Sequence, residues 1–237
     1  MGKTYIISEA ATTWIHDGLD GAKRSIELAK SCGASAWKTQ WVSDYRLMHK
    51  QRGIEGDAYK RLAWPQDWLE KLKEVCVSSG IDFLCTAFIE DDVDALSPLV
   101  SRAKIAAFEY HRDDLIKAWL EVGKPVIQSL NPGVDHEAYP GVKYLYCVSE
   151  YPTSTSVLFL RRLRWGYSGF SDHTVSVLSG AVAVSLGMEI IEKHVRTYDT
   201  PKDDPDWGHS MILDSNNPKD SFREYVENIR KAEEMIG

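Results

Sequence analysis

Cysteine is scarce in this chain: four among 237 residues (Cys32, Cys76, Cys85 and Cys147), far apart and without a C-x-x-C pair. That spacing argues against both a zinc knuckle and a disulfide framework. Long apolar runs are also missing. The most apolar stretch, Val175 to Ile191, is interrupted by serines, glycines and Glu189, and is too short and polar to span a bilayer. The opening residues, MGKTYIISEA, lack the long apolar core of a signal peptide, and Ile6 stands where a myristoylation pattern requires Ser or Thr. No Lys/Arg cluster is interleaved with aromatics, and 28 basic against 35 acidic residues give a net charge of −7. Such a chain repels phosphate backbones, so nucleic acid is not an expected partner. These absences point to a soluble, reduced, cytoplasmic protein with no membrane partner.

What is present suits a globular core. Apolar residues make up 43% and charged residues 27% of the chain, near the averages of about 45–50% and 25%. Short β-branched runs alternate with helical patterns. Strands are expected at Thr4–Ser8, Ala34–Thr39, Asp82–Thr86, Ala103–Ala107, Pro125–Ser129, Lys143–Val148, Trp165–Phe170 and Met188–His194. They are mostly continuous apolar runs, as parallel strands buried on both faces must be. Helices are expected at Leu19–Cys32, Pro65–Ser79, Asp91–Leu99, Arg112–Val122, Ser156–Leu163, Thr174–Leu186 and Pro218–Met235. The connection Leu130–Gly141 has two prolines and little periodicity, so one outer helix is expected to be lost. Eight strands in a chain near the ~250 residues typical of the fold read as α/β, a (β/α)8 TIM barrel, in a single domain over 1–237. A doubly wound sheet is the lesser reading.

In such a barrel the active site gathers at the C-terminal ends of the strands. Those ends carry Ser8-Glu9, Lys38-Thr39-Gln40, Lys104 followed by Glu109, Ser129, Ser149-Glu150-Tyr151, Ser171-Asp172-His173 and Glu192-Lys193-His194. A single polar strand end is usually just solvated. Lys38 and Lys104, however, sit inside apolar strands, where an unpaired ammonium is strongly disfavoured, so a partner anion such as phosphate or carboxylate is expected. His173 and His194 end adjacent strands and are placed to share one divalent ion, Mn2+ or Mg2+ rather than structural zinc; two independent core histidines are the plainer alternative. Trp64 and Trp68 read as packing around an insertion, Arg46 to Ala63, that could serve as a lid.

Several segments, in order, resemble the sialic acid synthases, the N-acetylneuraminate synthase or NeuB-like family. They are Ile6-Ile7-Ser8-Glu9, the run Gly33 to Gln40, Asp82-Phe83-Leu84 with Thr86 and Phe88, Lys104-Ile105 with Glu109, and Gly123 to Ile127 with Ser129. The second half adds Cys147 to Pro152, Tyr167 to Thr174, Ile191-Glu192-Lys193-His194, and Asp206 four residues before Ser210. The resemblance implies condensation of phosphoenolpyruvate with the open-chain aldehyde of an N-acylated hexosamine, giving a 2-keto sugar acid and phosphate. It implies Glu9, Glu109, Lys38 and Lys104 as catalytic residues, and a metal on His173 and His194. Gln40, Ser129, Ser149, Tyr151, Ser171, Lys193 and Asp206 are implied to bind substrate.

Some positions depart from the family pattern. Thr13-Trp14 replaces an Asn-His pair after the first strand, Ala107 a phosphate-gripping serine, Asn131 the glycine after the fifth strand, and Trp207 a histidine after Asp206. The chain also carries no counterpart of the family's small antifreeze-like domain. A homo-oligomer is compatible with the sequence, which shows no interface pattern. Two other readings stay open: a diverged barrel with aldolase, lyase or isomerase chemistry on another substrate, and a non-catalytic barrel that binds a sugar or a partner enzyme.

Overall fold

Eight short apolar segments that cannot bury both faces alone close into one parallel barrel. The computed structural model describes residues 2–57, 59–158, 160 and 166–237. Its strands are β1 (Tyr5–Ala11), β2 (Ala36–Gln40), β3 (Asp82–Thr86), β4 (Ala103–Ile105), β5 (Val126–Leu130), β6 (Lys143–Cys147), β7 (Gly169–Asp172), β8 (Ile190–Arg196) and the two-residue β9 (Met211–Ile212). Neighbours pair in sequence order, all parallel, and β1 pairs with β8 to close the barrel. The helices are α1 (Gly18–Ser31), α2 (Tyr45–Arg52), α3 (Trp68–Ser79), α4 (Val93–Leu96), α5 (Asp113–Glu121), α6 (Ser179–Ser185) and α7 (Phe222–Ile236).

The pleat sorts side chains into two cores. Ile7, Ala36, Leu84, Ile127, Leu145 and Ile190 plug the barrel interior. Their strand neighbours, such as Ile6, Trp37, Phe83, Tyr146 and Ile191, face outward into the layer shared with the helices. Helices dock on that layer through apolar positions three and four apart: Ala22, Ile26 and Ala29 of α1, Leu69, Leu72 and Cys76 of α3. Gly80 ends α3 at φ 68°, a left-handed conformation that favours glycine, and its N–H caps the carbonyls of Cys76 and Val77. Ser221 opens α7 by accepting the Glu224 N–H.

The expected elements need three adjustments. The seventh strand runs Gly169–Asp172 rather than Trp165–Phe170; 165 itself lies outside the described residues. Register explains the shift, because Gly169 pairs with both Leu145 and Ile190. A Cβ at Gly169 would lie 2.2 Å from the Ile190 carbonyl oxygen and 2.6 Å from Leu145 Cδ2. Of the helix expected at Ser156–Leu163, residues 159 and 161–163 lie outside the described residues, and a 3-10 turn, Thr155–Val157, precedes them. The insertion, read as a loop, contains α2, started by the Asp44 carboxylate accepting the N–H groups of Arg46 and Leu47, and stopped at Gly53 with φ 65°. As expected, the segment after β5 forms no helix.

Gly169→Ala should therefore push β7 off β8 and cost about 3 kcal/mol or more, lowering Tm by roughly 6–12 °C in a melt followed by circular dichroism. An unchanged Tm would mean the two strands do not approach this closely.

Asp92 ties the loop after β3 to the loop after β2, both its carboxylate oxygens accepting the Ser43 N–H at 3.2 Å. Burial pushes its pKa up to about 6, although the Ser43 hydrogen bonds oppose the shift. An acid with a raised folded pKa penalises the fold as pH rises: the penalty is absent below the unfolded value near 4 and complete above 6. Asp92→Asn should hence be more stable than the parent at pH 7.5, by up to about 2 kcal/mol, and the gap should close below pH 4. Urea melts at the two pH values read both.

Candidate functional site

Moving two residues along a strand keeps the same face, so the layer above the apolar plug is set by position i+2. Ile7 leads to Glu9, Ala36 to Lys38, Leu84 to Thr86, Ile127 to Ser129, Leu145 to Cys147 and Ile190 to Glu192. Lys104 from β4 and Ser171 from β7 complete one residue from each of the eight strands. All eight are buried. Seven of them line a cavity of about 900 Å3 at the C-terminal mouth, and Thr86 receives a hydrogen bond from Lys38 Nζ at 3.0 Å.

The ring is charge-balanced. Lys38 pairs with Glu9 and lies 3.2 Å from Glu192 Oε1; Lys104 lies 3.1 Å from Glu192 Oε2 and donates to Ser129 Oγ at 2.9 Å. Ser171 Oγ donates to Glu192 Oε2 at 2.9 Å, and Gln40 Nε2 to Glu9 Oε1 at 3.0 Å. Burial would raise the Glu192 carboxyl, but Lys104 and then Lys38 outweigh it and hold the group well below the usual carboxylate range. Burial lowers Lys104 despite Glu192, and burial raises Glu9 despite Lys38. Both lysines line the cavity, where an incoming anion competes with the two carboxylates paired to them.

Above the ring lies a layer of imidazoles. His173 Nδ1 donates to the Val148 carbonyl at 2.9 Å, a bond that leaves Nε2 as the lone-pair donor. The Tyr151 ring stacks on His173 with centroids 4.2 Å apart, and the His173 and His194 centroids are 5.2 Å apart. Burial and then the His194 charge drive the His173 pKa well below its usual value. His194 Nδ1 stands 3.3 Å from Asp206 Oδ1, and His209 Nε2 stands 3.1 Å from the same oxygen. The donor set, imidazoles with a nearby carboxylate, fits a divalent ion.

One wall is the insertion. Asp57, Tyr59, Lys60, Arg61 and Leu62 line the cavity. Trp64 anchors their far end: its Nε1 donates to the Gln40 carbonyl at 2.9 Å, and its ring meets Trp14 edge-on at 5.5 Å. Trp64 and Trp68 pack together as expected.

The cavity brings together Glu9, Lys38, Lys104, Gln40, Ser129, Tyr151, Ser171, Asp206, His173 and His194. Three candidates are not among its lining. Glu109 is fully buried, but Arg52 Nε and Nη2 from α2 hold its carboxylate at 2.8 and 2.6 Å. Lys193 points out of the barrel, between its strand and the outer helices. Its ammonium pairs with Asp172 at 3.3 Å, bonds the Thr174 carbonyl and sits 5.2 Å from the Tyr225 ring. Ser149 is exposed, its N–H donating to Asn131 Oδ1 at 2.9 Å. Glu192 and His209 also line the cavity, and neither was a candidate from sequence. Glu192 follows from the period of two, since His194 facing in requires Glu192 in and Lys193 out. His209 had a weaker signal, its place three residues after Asp206.

The NeuB family model matches residues 25–237. An uncharacterized protein of Methanocaldococcus jannaschii is 32% identical over 99% of this chain and 72% of its own length. The pseudaminic acid synthase of Campylobacter jejuni is 27% identical over 99% of this chain and 75% of its own. The crystal structure of an N-acetylneuraminic acid synthetase from Leptospira borgpetersenii superposes with a TM-score of 0.82 at 24% identity, covering all of this chain and 86% of the other, and so shares the fold. With its closed eight-stranded barrel and a match over most of its length, the chain belongs to the NeuB family.

Proposed function

We propose that this protein is a metal-dependent synthase that condenses phosphoenolpyruvate with the aldehyde of an N-acylhexosamine-like sugar, releasing phosphate and a 2-keto sugar acid. The observation that carries the proposal is the pair of buried ammonium groups, Lys38 and Lys104, facing one cavity whose rim bears His173 and His194. A pseudaminic acid synthase and an N,N'-diacetyllegionaminic acid synthase among the relatives support the class of product.

In this reading Lys38 and Lys104 bind the phosphate and carboxylate of phosphoenolpyruvate, with Ser129 as hydroxyl donor. The enol C3 attacks the aldehyde carbon, and positive character develops at C2. Glu192 is the cavity carboxylate placed to face that charge, whereas Glu109 is held by Arg52 outside the lining. Water adds at C2, and the resulting tetrahedral carbon expels phosphate. Glu9, held by Gln40 and Lys38, is placed to hold the acceptor, whose alkoxide takes the proton that water gives up on adding at C2. Tyr151 and Asp206 face the acceptor. A divalent ion, Mn2+ or Mg2+, would be held by His173 and His194, and supplies Lewis-acid polarisation of the aldehyde. Four free, buried cysteines support a reducing compartment such as the cytoplasm. Among the described residues no helix is long and apolar enough to cross a membrane.

The test is phosphate release from phosphoenolpyruvate with Mn2+ and a panel of N-acylated hexosamines. Release that requires both the sugar and the metal is expected. Release absent with every aldehyde would overturn the reading.

A further inference from the structure

His209 has no part in the mechanism above, yet it stands within ligand distance of the same carboxylate oxygen as His194. We propose that His194, Asp206 and His209 together form a transition-metal site, with two imidazole nitrogens and one carboxylate oxygen selecting an ion of the Co2+, Zn2+ or Fe2+ class over Mg2+. This rests on the synthase reading for the role of the ion, but assigns it ligands beyond the pair named there.

The geometry is convergent. The three ligand atoms all lie within 4.8 Å of one another. Asp206 Oδ1 sits between His194 Nδ1 at 3.3 Å and His209 Nε2 at 3.1 Å. Both imidazoles are buried, and neither of these nitrogens makes an aligned hydrogen bond, so each approaches the carboxylate without being satisfied by it. A cation among the three would satisfy all of them.

The segment after β8 is built to hold this arrangement. Asp204 Oδ1 accepts the Asp206 N–H at 2.9 Å, and Ser210 donates from its N–H and its Oγ to the Asp206 carbonyl at 3.2 and 2.7 Å. That turn puts Asp206 and His209, three residues apart, on one side. Arg61 of the insertion pins Asp204 at 2.9 Å. His173, with its ring centroid 6.3 Å from that of His209, stands beside the trio as a further donor. Imidazole-rich donor sets favour later transition metals, whereas Mg2+ prefers oxygen ligands and keeps its water.

Co2+ titration of the full chain, read by calorimetry and by the visible absorption of bound cobalt, tests the site without any turnover. The parent should bind Co2+ at least about 100-fold more tightly than Mg2+, and both His209→Phe and the more conservative His209→Gln should weaken Co2+ by at least about 100-fold and change the spectrum. Unchanged affinity and spectrum in either folded variant would overturn the inference. Loss of Co2+ in His173→Phe but not in the His209 variants would also overturn it, and would leave the synthase reading intact. Conversely, His209-dependent cobalt binding in a protein that never consumes phosphoenolpyruvate would uphold the site while the synthase reading fails.

Discussion

Lys38→Met is expected to destabilise the protein by about 3–5 kcal/mol, a fall in Tm of roughly 6–20 °C. Lys38 is the cation that Glu9 and Glu192 share, and all three side chains are buried. Its removal leaves two carboxylates facing one remaining ammonium, Lys104, which is paired to Glu192. The penalty is that of an uncompensated buried charge rather than of a lost contact. Removing the matching negative charge should therefore recover much of it: the double variant Lys38→Met with Glu9→Gln should melt well above Lys38→Met alone. A thermal melt of the parent, both single variants and the double reads the coupling directly. If the double melts at or below Lys38→Met, charge balance is not what the ring provides.

Glu192→Gln should separate binding from turnover. Glu192 contacts both lysines and Ser171, so neutralising it frees the ammonium groups for a substrate anion. The KM for phosphoenolpyruvate should stay level or fall. On the proposed mechanism the same change removes the carboxylate that would face the positive charge developing at C2, and kcat should drop by about 100- to 1000-fold. Steady-state kinetics with the acceptor saturating shows whether kcat falls while KM does not. A rise in KM with kcat preserved would assign Glu192 to ground-state binding and remove it from the chemistry.

The barrel was legible because buried parallel strands announce themselves as short continuous apolar runs, and every strand from β1 to β6 begins within two residues of its expected position. β7 slipped because its limits depend on contacts made by Gly169 with two neighbouring strands, which lie 24 and 21 residues away in sequence. The charged ring was legible in part. Lys38 and Lys104 stand out as charges within apolar runs. Lys193 stands out for the same reason, yet the alternation places it on the outer face against Asp172, and Glu192 on the inner one. Glu109 could not be assigned by local pattern, since its partner Arg52 arrives from 57 residues away on a helix read as loop. His209 belongs to an irregular segment, where no period indicates which side chains face the cavity.

Calorimetric titration of phosphoenolpyruvate into the Mn2+-loaded protein tests the central claim most directly, with Lys104→Gln as the control. The account predicts binding with a Kd of roughly 10–500 µM, weakened at least about tenfold in the control. No heat with or without metal, or equal binding in Lys104→Gln, would contradict it.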